Sequence, residues 1–363
     1  MQSRRFFLQT SAALVATQAH AQVDFARVGP RPLNFPRDHG AHSEFRTEWW
    51  YLTGWLDDPR ASAASIGFQI TFFRTRTTID SANPSAFAAK QLVIAHAAIA
   101  DPARGRLLHD ARVARTGFAA ASVSSEDTDI SVDRWRLVRS PQMGSYRGVV
   151  SARGFTLELE AQPTQPLLLQ GDAGLSRKGG GAAQASFYYS QPQLAVRARI
   201  TRDGKVEERS GHGWLDHEWS STLLPFNAAG WDWIGMNLDD GSALTAFSIR
   251  QQGAAASAPA LHAYASIRPR GGKLQTFDAR QVGFSTLTEW TSPTTSAIWP
   301  IAREVRVGDR TFVTQPMMND QEFDSRLTTG AVYWEGASRL IENGKAVGRG
   351  YLEMTGYVAP LRL

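Results

Sequence analysis

The 363-residue chain contains no cysteine. That excludes a disulfide framework, thiol catalysis and cysteine-ligated metal, so an apolar core must hold the fold. Long hydrophobic runs are also missing. The one near the start is too short and too alanine-rich to span a bilayer as a permanent helix. No stretch keeps a helical period for long. Several enzyme fingerprints are absent as well: there is no G-x-S-x-G nucleophile elbow and no H-E-x-x-H zinc pair. Glycines 179–181 lack the strand–helix setting of a phosphate or dinucleotide loop and read as a mobile loop. The formal charge is +5 and well mixed, with no basic run after Arg5. Nucleic-acid binding is therefore not expected, and weak attraction to acidic surfaces is the most this charge supports.

What the chain does contain is β-patterning from end to end. Phe155–Glu160 alternates cleanly, with Phe155, Leu157 and Leu159 on one face. Ile130–Trp135 and Leu194–Ile200 behave alike, and Arg134, Arg136 and Arg139 read as a solvated strand face. Asp203-Gly204, Asp240-Gly241 and Asn343-Gly344 mark hairpins between apolar runs. A turn or two of helix is expected only at Ser85–Gln91. Many short strands with polar turns point to barrels or sandwiches.

An internal echo points to two of them. Trp49-Trp-Tyr-Leu-Thr-Gly-Trp-Leu-Asp-Asp58 aligns without gaps with Trp231-Asp-Trp-Ile-Gly-Met-Asn-Leu-Asp-Asp240. Each segment is expected to be an early strand of its own barrel, with the boundary between Gly204 and Ser221. The resulting division is an arm at 22–46, a first domain at 47–211 and a second at 212–363.

The chemistry concentrates at His212-Gly-Trp-Leu-Asp-His-Glu-Trp219. Read as a strand, it places His212, Trp214, Asp216 and Glu218 on one face, and Leu215, His217 and Trp219 on the other. A face with an imidazole, an indole and two carboxylates makes a poor core and a good site. His96 alternates with Ile94 and Ala98 and reads as a buried, hydrogen-bonded histidine that could still face a pocket. His39 and His42 with Glu44 read as a solvated loop. His212 and His217 fall on opposite strand faces, which is wrong for one metal ion. No metal or cofactor is expected.

The motifs Phe35-Pro-Arg-Asp-His39, Glu48-Trp-Trp-Tyr-Leu-Thr-Gly54, Ala95-His-Ala97, Gln170-Gly-Asp172, Phe187-Tyr-Tyr-Ser190 and Gly213-Trp-Leu-Asp-His-Glu-Trp219 occur in this order. In this the chain resembles the AttH/carotenoid 1,2-hydratase (hydroxyneurosporene synthase) family, from about Leu33 to Tyr357. The resemblance implies an all-β fold of two lipocalin-like, calycin-type antiparallel β-barrels packed side by side. It also implies a range of activities: hydration of isoprenoid double bonds, cyclisation, or a hydrolase-like role in the exported branch. Some members are encoded beside transporter permeases, so an accessory binding role is implied too, with a permease as partner. At the motif, His212, Trp214 and Asp216 stand in the neighbourhood implicated in the hydratases, followed by Trp231, Asp232 and Trp233.

Two function classes follow. One is an acid–base enzyme, a hydro-lyase or hydrolase, acting on an isoprenoid- or lipid-like substrate in an aromatic cleft near the domain junction. Asp216, His212 and Glu218 are its expected catalytic groups, and Trp214, Trp231, Trp233, Trp49, Trp50, Tyr51 and His96 its expected substrate wall. Desolvation by tryptophans would raise the pKa of Asp216 and let it deliver a proton. The other class is a hydrophobic-ligand carrier, which needs only the apolar walls.

The first residues read as an address. Ser3-Arg-Arg-Phe-Phe-Leu-Gln9 fits the twin-arginine export pattern, and Ala19-His-Ala21 fits a signal-peptidase site. Cleavage after Ala21 would leave 342 residues with charge +3, delivered to the periplasm or secreted without a stable membrane anchor. Replacing Arg4 and Arg5 together by lysine is expected to trap the protein in the cytoplasm. Fractionation that still finds it in the periplasm would contradict the assignment.

Overall fold

The computed structural model describes residues 24–60, 64–255 and 258–362. The export segment expected at 1–21 lies outside the described residues. Strand is the main secondary structure of the described residues. The one helical segment among the described residues is a 3-10 turn at Arg37–His39. The helical turns expected at Ser85–Gln91 do not form: residues 85–90 are turn and irregular backbone, and Gln91 opens a strand.

Two antiparallel sheets share one strand plan. In the first, Thr47–Asp57 lies between Ile66–Arg76 and the domain's last strand, Lys205–Ser220. Gln91–Asp101 and Arg106–Arg115 continue one side, and Ala185–Arg202 and Phe155–Pro163 the other. In the second sheet, Ala228–Leu238 lies between Ala243–Gln251 and the last strand, Lys345–Thr355, which pairs in turn with Ala331–Glu342. Each sheet curls on itself, so that Gln91–Asp101 approaches Asp129–Val132, and His262–Arg268 approaches Val282–Thr291. The result is two lipocalin-like barrels or half-barrels, and the echoed segments occupy the same place in each.

The hairpins use the residues expected. Asp203-Gly204 and Asn343-Gly344 both adopt positive φ, as tight two-residue turns require. Ile130–Trp135 is not one strand, however. Asp133 takes φ 54° and turns the chain between Asp129–Val132 and Trp135–Arg139. Arg134 therefore belongs to a turn, while Arg136 pairs with Asp129 and Arg139 with Asp127.

The boundary also moves. Lys205–Ser220 pairs along its length with the first sheet, and the chain crosses to the second only at residues 221–227. The division expected at 211/212 would cut this strand. Local sequence could not distinguish the last strand of one barrel from the first strand of the next.

Inside the first barrel a charged network ties the arm to the sheet. Glu48 Oε1 accepts from His42 Nδ1 at 2.7 Å and His217 Nε2 at 2.9 Å. Its Oε2 accepts from Arg74 Nε at 2.7 Å, and Asp38 holds His42 Nε2 at 2.9 Å. His39 bonds the Tyr189 hydroxyl at 2.7 Å. Far from lying in a solvated loop, His39 and His42 are buried, and the acidic partners of His42 are Asp38 and Glu48 rather than Glu44. Burial alone would raise the pKa of Glu48, but Arg74 and the two imidazoles outweigh it and hold the carboxyl well below its ordinary value. Truncating one member strands the others without compensation, which typically costs about 3–5 kcal/mol. Glu48→Ala is expected to lower unfolding free energy by that order in urea titrations. Adding Arg74→Leu should cost much less than the sum of the two single changes.

Candidate active site

The two barrels meet through the outer faces of the echoed strands and of the strands that close each barrel. Close approach is built in: a Cβ on Gly67 would lie 2.6 Å from both the Ala337 methyl and the Tyr351 hydroxyl. Trp49 and Trp231, equivalent in the echo, stack across this junction with centroids 6.5 Å apart and planes at 13°. Tyr51 meets Trp233 edge-on at 5.5 Å.

Strand register then assembles acids between these aromatics. Asp216 lies opposite Tyr51 in the first sheet, and Glu353 lies opposite Trp233 in the second. The two carboxyls thus hold equivalent places in the two barrels. Glu335 is the cross-strand neighbour of Glu353. Asp216 Oδ1 accepts from Trp214 Nε1 and its Oδ2 from the Tyr188 hydroxyl, both at 2.7 Å. Tyr188 accepts in turn from Trp233 Nε1 at 3.1 Å. Glu353 Oε1 accepts from Trp231 Nε1 at 2.8 Å, and Glu335 Oε2 from the Tyr51 hydroxyl at 2.5 Å. Indoles and phenols thus orient these acids. A cation serves only Glu218, whose Oε1 lies 2.9 Å from Lys178 Nζ and also accepts from Ser186.

The electrostatic consequence is large. Burial pushes Asp216 up to about 7, against hydrogen bonds from Ser190, Tyr188 and Trp214 and with the Glu218 charge adding to the rise. Burial pushes Glu353 to about 8, with the nearby Asp216 and Glu218 charges adding to the rise. Burial beside Glu353 holds Glu335 well above the carboxylate range. At neutral pH this junction therefore stores carboxylic protons.

Two cavities flank these groups. One, of about 300 Å³, is mainly apolar and is walled by Trp49, Tyr51, Phe73, Ile94, Trp231 and Tyr333, with Glu335 and Glu353 reaching into it. The other, of about 50 Å³, holds Asp216, Glu218, Lys178 and Tyr188. Trp49, Tyr51, Trp231 and Glu353 line both.

With this geometry the comparisons can be placed. The profile of the AttH-like family matches residues 26–357. The chain belongs to the AttH-like family. A crystal structure of a Nitrosomonas europaea protein assigned to AttH is 48% identical, with TM-score 0.85, covering 92% of this chain and 100% of that one. Kievitone hydratase from Nectria haematococca shares the fold at 14% identity and TM-score 0.66, covering 92% and 98% of the two chains. The protein CghA does so at 11% and 0.52, covering 88% and 90%. Comparison with curated protein sequences found no match.

The structure brings together most of the expected residues. Asp216, Glu218, Trp49, Tyr51, Trp231 and Trp233 all line the junction cavities, and Trp214 bonds Asp216. Two residues lie elsewhere. Trp50 points into the first barrel and stacks on His217 at 4.4 Å, because neighbouring strand positions face opposite ways. His212 is four positions from Asp216, roughly 13 Å along the strand. It lines a separate polar cavity of about 350 Å³ with Asn237, Asp239, Arg270 and Arg349. The expected Asp216–His212 pair is therefore not assembled.

His96 is buried beside the larger cavity, with Nε2 3.0 Å from Thr328 Oγ1 and Nδ1 on the Tyr333 hydroxyl. Thr328 donates its own proton to Ser325 O, so His96 donates from Nε2 and accepts at Nδ1. Burial lowers its pKa to about 3, which keeps it neutral. Sequence reading missed Glu335, Glu353, Lys178 and Tyr188. The available signal was the echo itself: extended to the closing strands, it pairs Asp216 with Glu353.

The side chains of His42, Glu48 and His217 carry metal-ligand atoms within 4.8 Å of one another. Both imidazoles already bond Glu48 Oε1, and Arg74 supplies the compensating charge, so this group acts as the pin described above.

Raised carboxyl pKa values have a definite sign in stability. Between an ordinary glutamate pKa near 4 and about 8, folded Glu353 keeps a proton that the unfolded chain has released. Its contribution therefore falls as pH rises through that window. The buried histidines, with lowered pKa, act in the opposite direction below about 6.5. Glu353→Gln is expected to flatten the decline between pH 5 and 8. Urea titrations at several pH values should show the variant gaining on wild type toward pH 8, and a constant difference would refute the assignment.

Proposed function

We propose that this AttH-like protein is an enzyme of the hydratase or hydrolase-like type. It performs acid–base chemistry on an apolar, unsaturated small molecule held between the barrels. The carrying observation is that Glu353, protonated at neutral pH, lines both the apolar cavity and the small polar one. Family membership and a fold shared with a protein named as a hydratase support the reading.

In the proposed reaction the Glu353 carboxylic acid donates its proton to one alkene carbon. A C–H bond forms from the π pair, a cation develops on the other carbon, and Glu353 becomes a carboxylate. The faces of Trp49 and Trp231 stabilise that cation, by about 2 kcal/mol where water is excluded. The small cavity, at about 50 Å³, is large enough to hold water beside Asp216 and Glu353. Water attacks the cation and passes a proton to Asp216, a group near 7 that is available as a base at neutral pH. Proton return from Asp216 to Glu353 through solvent closes the cycle. The reverse sequence is dehydration, and proton loss from a neighbouring carbon instead gives isomerisation.

A carrier reading uses the same walls but leaves the acids unexplained. Burying carboxyls without a cation costs stability and gives a carrier of neutral ligands nothing. Glu353→Gln and Asp216→Asn are expected to bind ligand nearly normally and to lose turnover by about 100-fold or more. His212→Gln should stay near wild type. The pH–rate profile should be a bell with limbs near 7 and 8, belonging to the coupled pair, and Glu353→Gln should lose its alkaline limb. Mass spectrometry of extracted ligand gives the contrary outcome: one identical molecule in wild type and Glu353→Gln, unchanged on long incubation, would establish a carrier.

A further inference from the structure

The mouth of the larger cavity has its own chemistry. Thr47, Thr75 and Leu92 line it and stand in one row with Ser220 and Arg115 across five neighbouring strands. The loops that leave this end of the first barrel carry Phe87, Phe118 and Phe226, which are 75%, 62% and 91% exposed. From the second barrel comes Leu327, 99% exposed, beside the cavity-lining Thr328 and Thr329. Soluble proteins rarely mass large apolar side chains on loop tips around one opening without a partner for them.

Charge accompanies these tips. Arg46 and Arg362 line both the cavity and the adjoining cleft that contains Phe226. The Arg115 guanidinium lies 4.3 Å from the Phe118 ring centre and 5.7 Å from that of Phe87. Arg76 and Lys90 are on the same end, as are the acids Asp24, Glu44 and Asp80, and Arg76 donates to the backbone carbonyls of Asp24 and Glu44, while Arg326 pairs with Asp324. Aromatic tips backed by arginines match an anionic lipid interface, where the rings enter the acyl boundary and the cations meet headgroups.

We propose that this end of the molecule docks reversibly on an anionic phospholipid surface, so that the larger cavity opens toward the bilayer and loads its apolar ligand from it. The inference rests on the apolar-ligand reading above. It commits to lipid as the occupant because the apolar tips belong to four separate loops around an opening, not to one flat face that a second copy would cover. Insertion of loop tips adds apolar burial, and each nearby Lys or Arg adds electrostatic attraction to the anionic headgroups. Screening removes most of the second part.

Flotation of the full chain with vesicles tests the proposal. Vesicles of phosphatidylglycerol and phosphatidylcholine are expected to carry the protein up, with binding about 10-fold weaker on phosphatidylcholine alone or in 0.5 M salt. The double variant F226S/L327S should lose binding by about 10-fold while keeping its circular dichroism. Val206→Ser, on the hairpin at the opposite end of the barrel, should bind as wild type. Glu353→Gln should float normally, so that loss of the enzymatic reading leaves docking intact and readable. Absence of flotation, or equal loss in Val206→Ser, would overturn docking. So would a wild-type dimer in sedimentation that F226S/L327S makes monomeric, since the tips would then serve self-association.

Discussion

The site depends on one constraint: three carboxyl groups are taken out of water between two sheets and given indole and phenol donors instead of cations. Neutral donors orient a carboxyl but do not neutralise it, so desolvation decides its protonation. Asp216, Glu335 and Glu353 all rise for that reason. Neither barrel creates this environment alone. Asp216 stands on the first sheet and both glutamates on the second, and Trp49 stacks on Trp231 over the joint. The dry, acid-rich junction is a property of the pair.

The same strands show the contrast within a few ångströms. Glu48 precedes Trp49, and His217 separates Asp216 from Glu218. Alternation turns Glu48 and His217 inward, to a buried guanidinium, and turns Trp49, Asp216 and Glu218 outward to the junction. Inside, Arg74 drives the carboxyl down and the charged network pins the arm. Outside, carboxyls with no cation drift up and retain protons. One face of each strand is therefore committed to stability, and the other carries the groups of the proposed acid–base chemistry.

Alternation was the part most legible in the sequence. It separated Asp216 and Glu218 from His217 and Trp219, and the echo placed Trp49 and Trp231 at corresponding strands. Trp50 adjoins Trp49 and Tyr51 in sequence and is expected with them in the wall, but its parity sends it into the core. His212 has the right parity but the wrong height, since a shared face says nothing of reach along the strand. Glu335 is illegible for another reason, and Glu353 is legible only through the echo extended to the closing strands. A lone glutamate within Tyr333-Trp-Glu-Gly336 or Tyr351-Leu-Glu-Met354 looks like any solvated strand position until a second sheet covers it. Long-range packing, not local pattern, makes it acidic chemistry. The domain boundary failed for the same cause, because pairing of Lys205–Ser220 with Thr47–Asp57 spans most of the first domain.

What the two halves share indicates where their function lies. At outward positions the echo keeps its character: Trp49 with Trp231, Tyr51 with Trp233, and on the closing strands Asp216 with Glu353. At the inward position between them Trp50 corresponds to Asp232, which pairs with Arg250 and Arg303 inside the second barrel. At this position the interiors thus differ, one placing an indole stacked on His217 and the other a carboxylate held by two arginines. A core needs only to be filled and satisfied, and many residue sets do that. A junction that must hold acids protonated and face them with indoles has fewer solutions. The outward faces of both barrels meet that demand with similar residue types, an aromatic pair and an acid, which is why the proposed chemistry lies at the joint between the barrels and not in either interior.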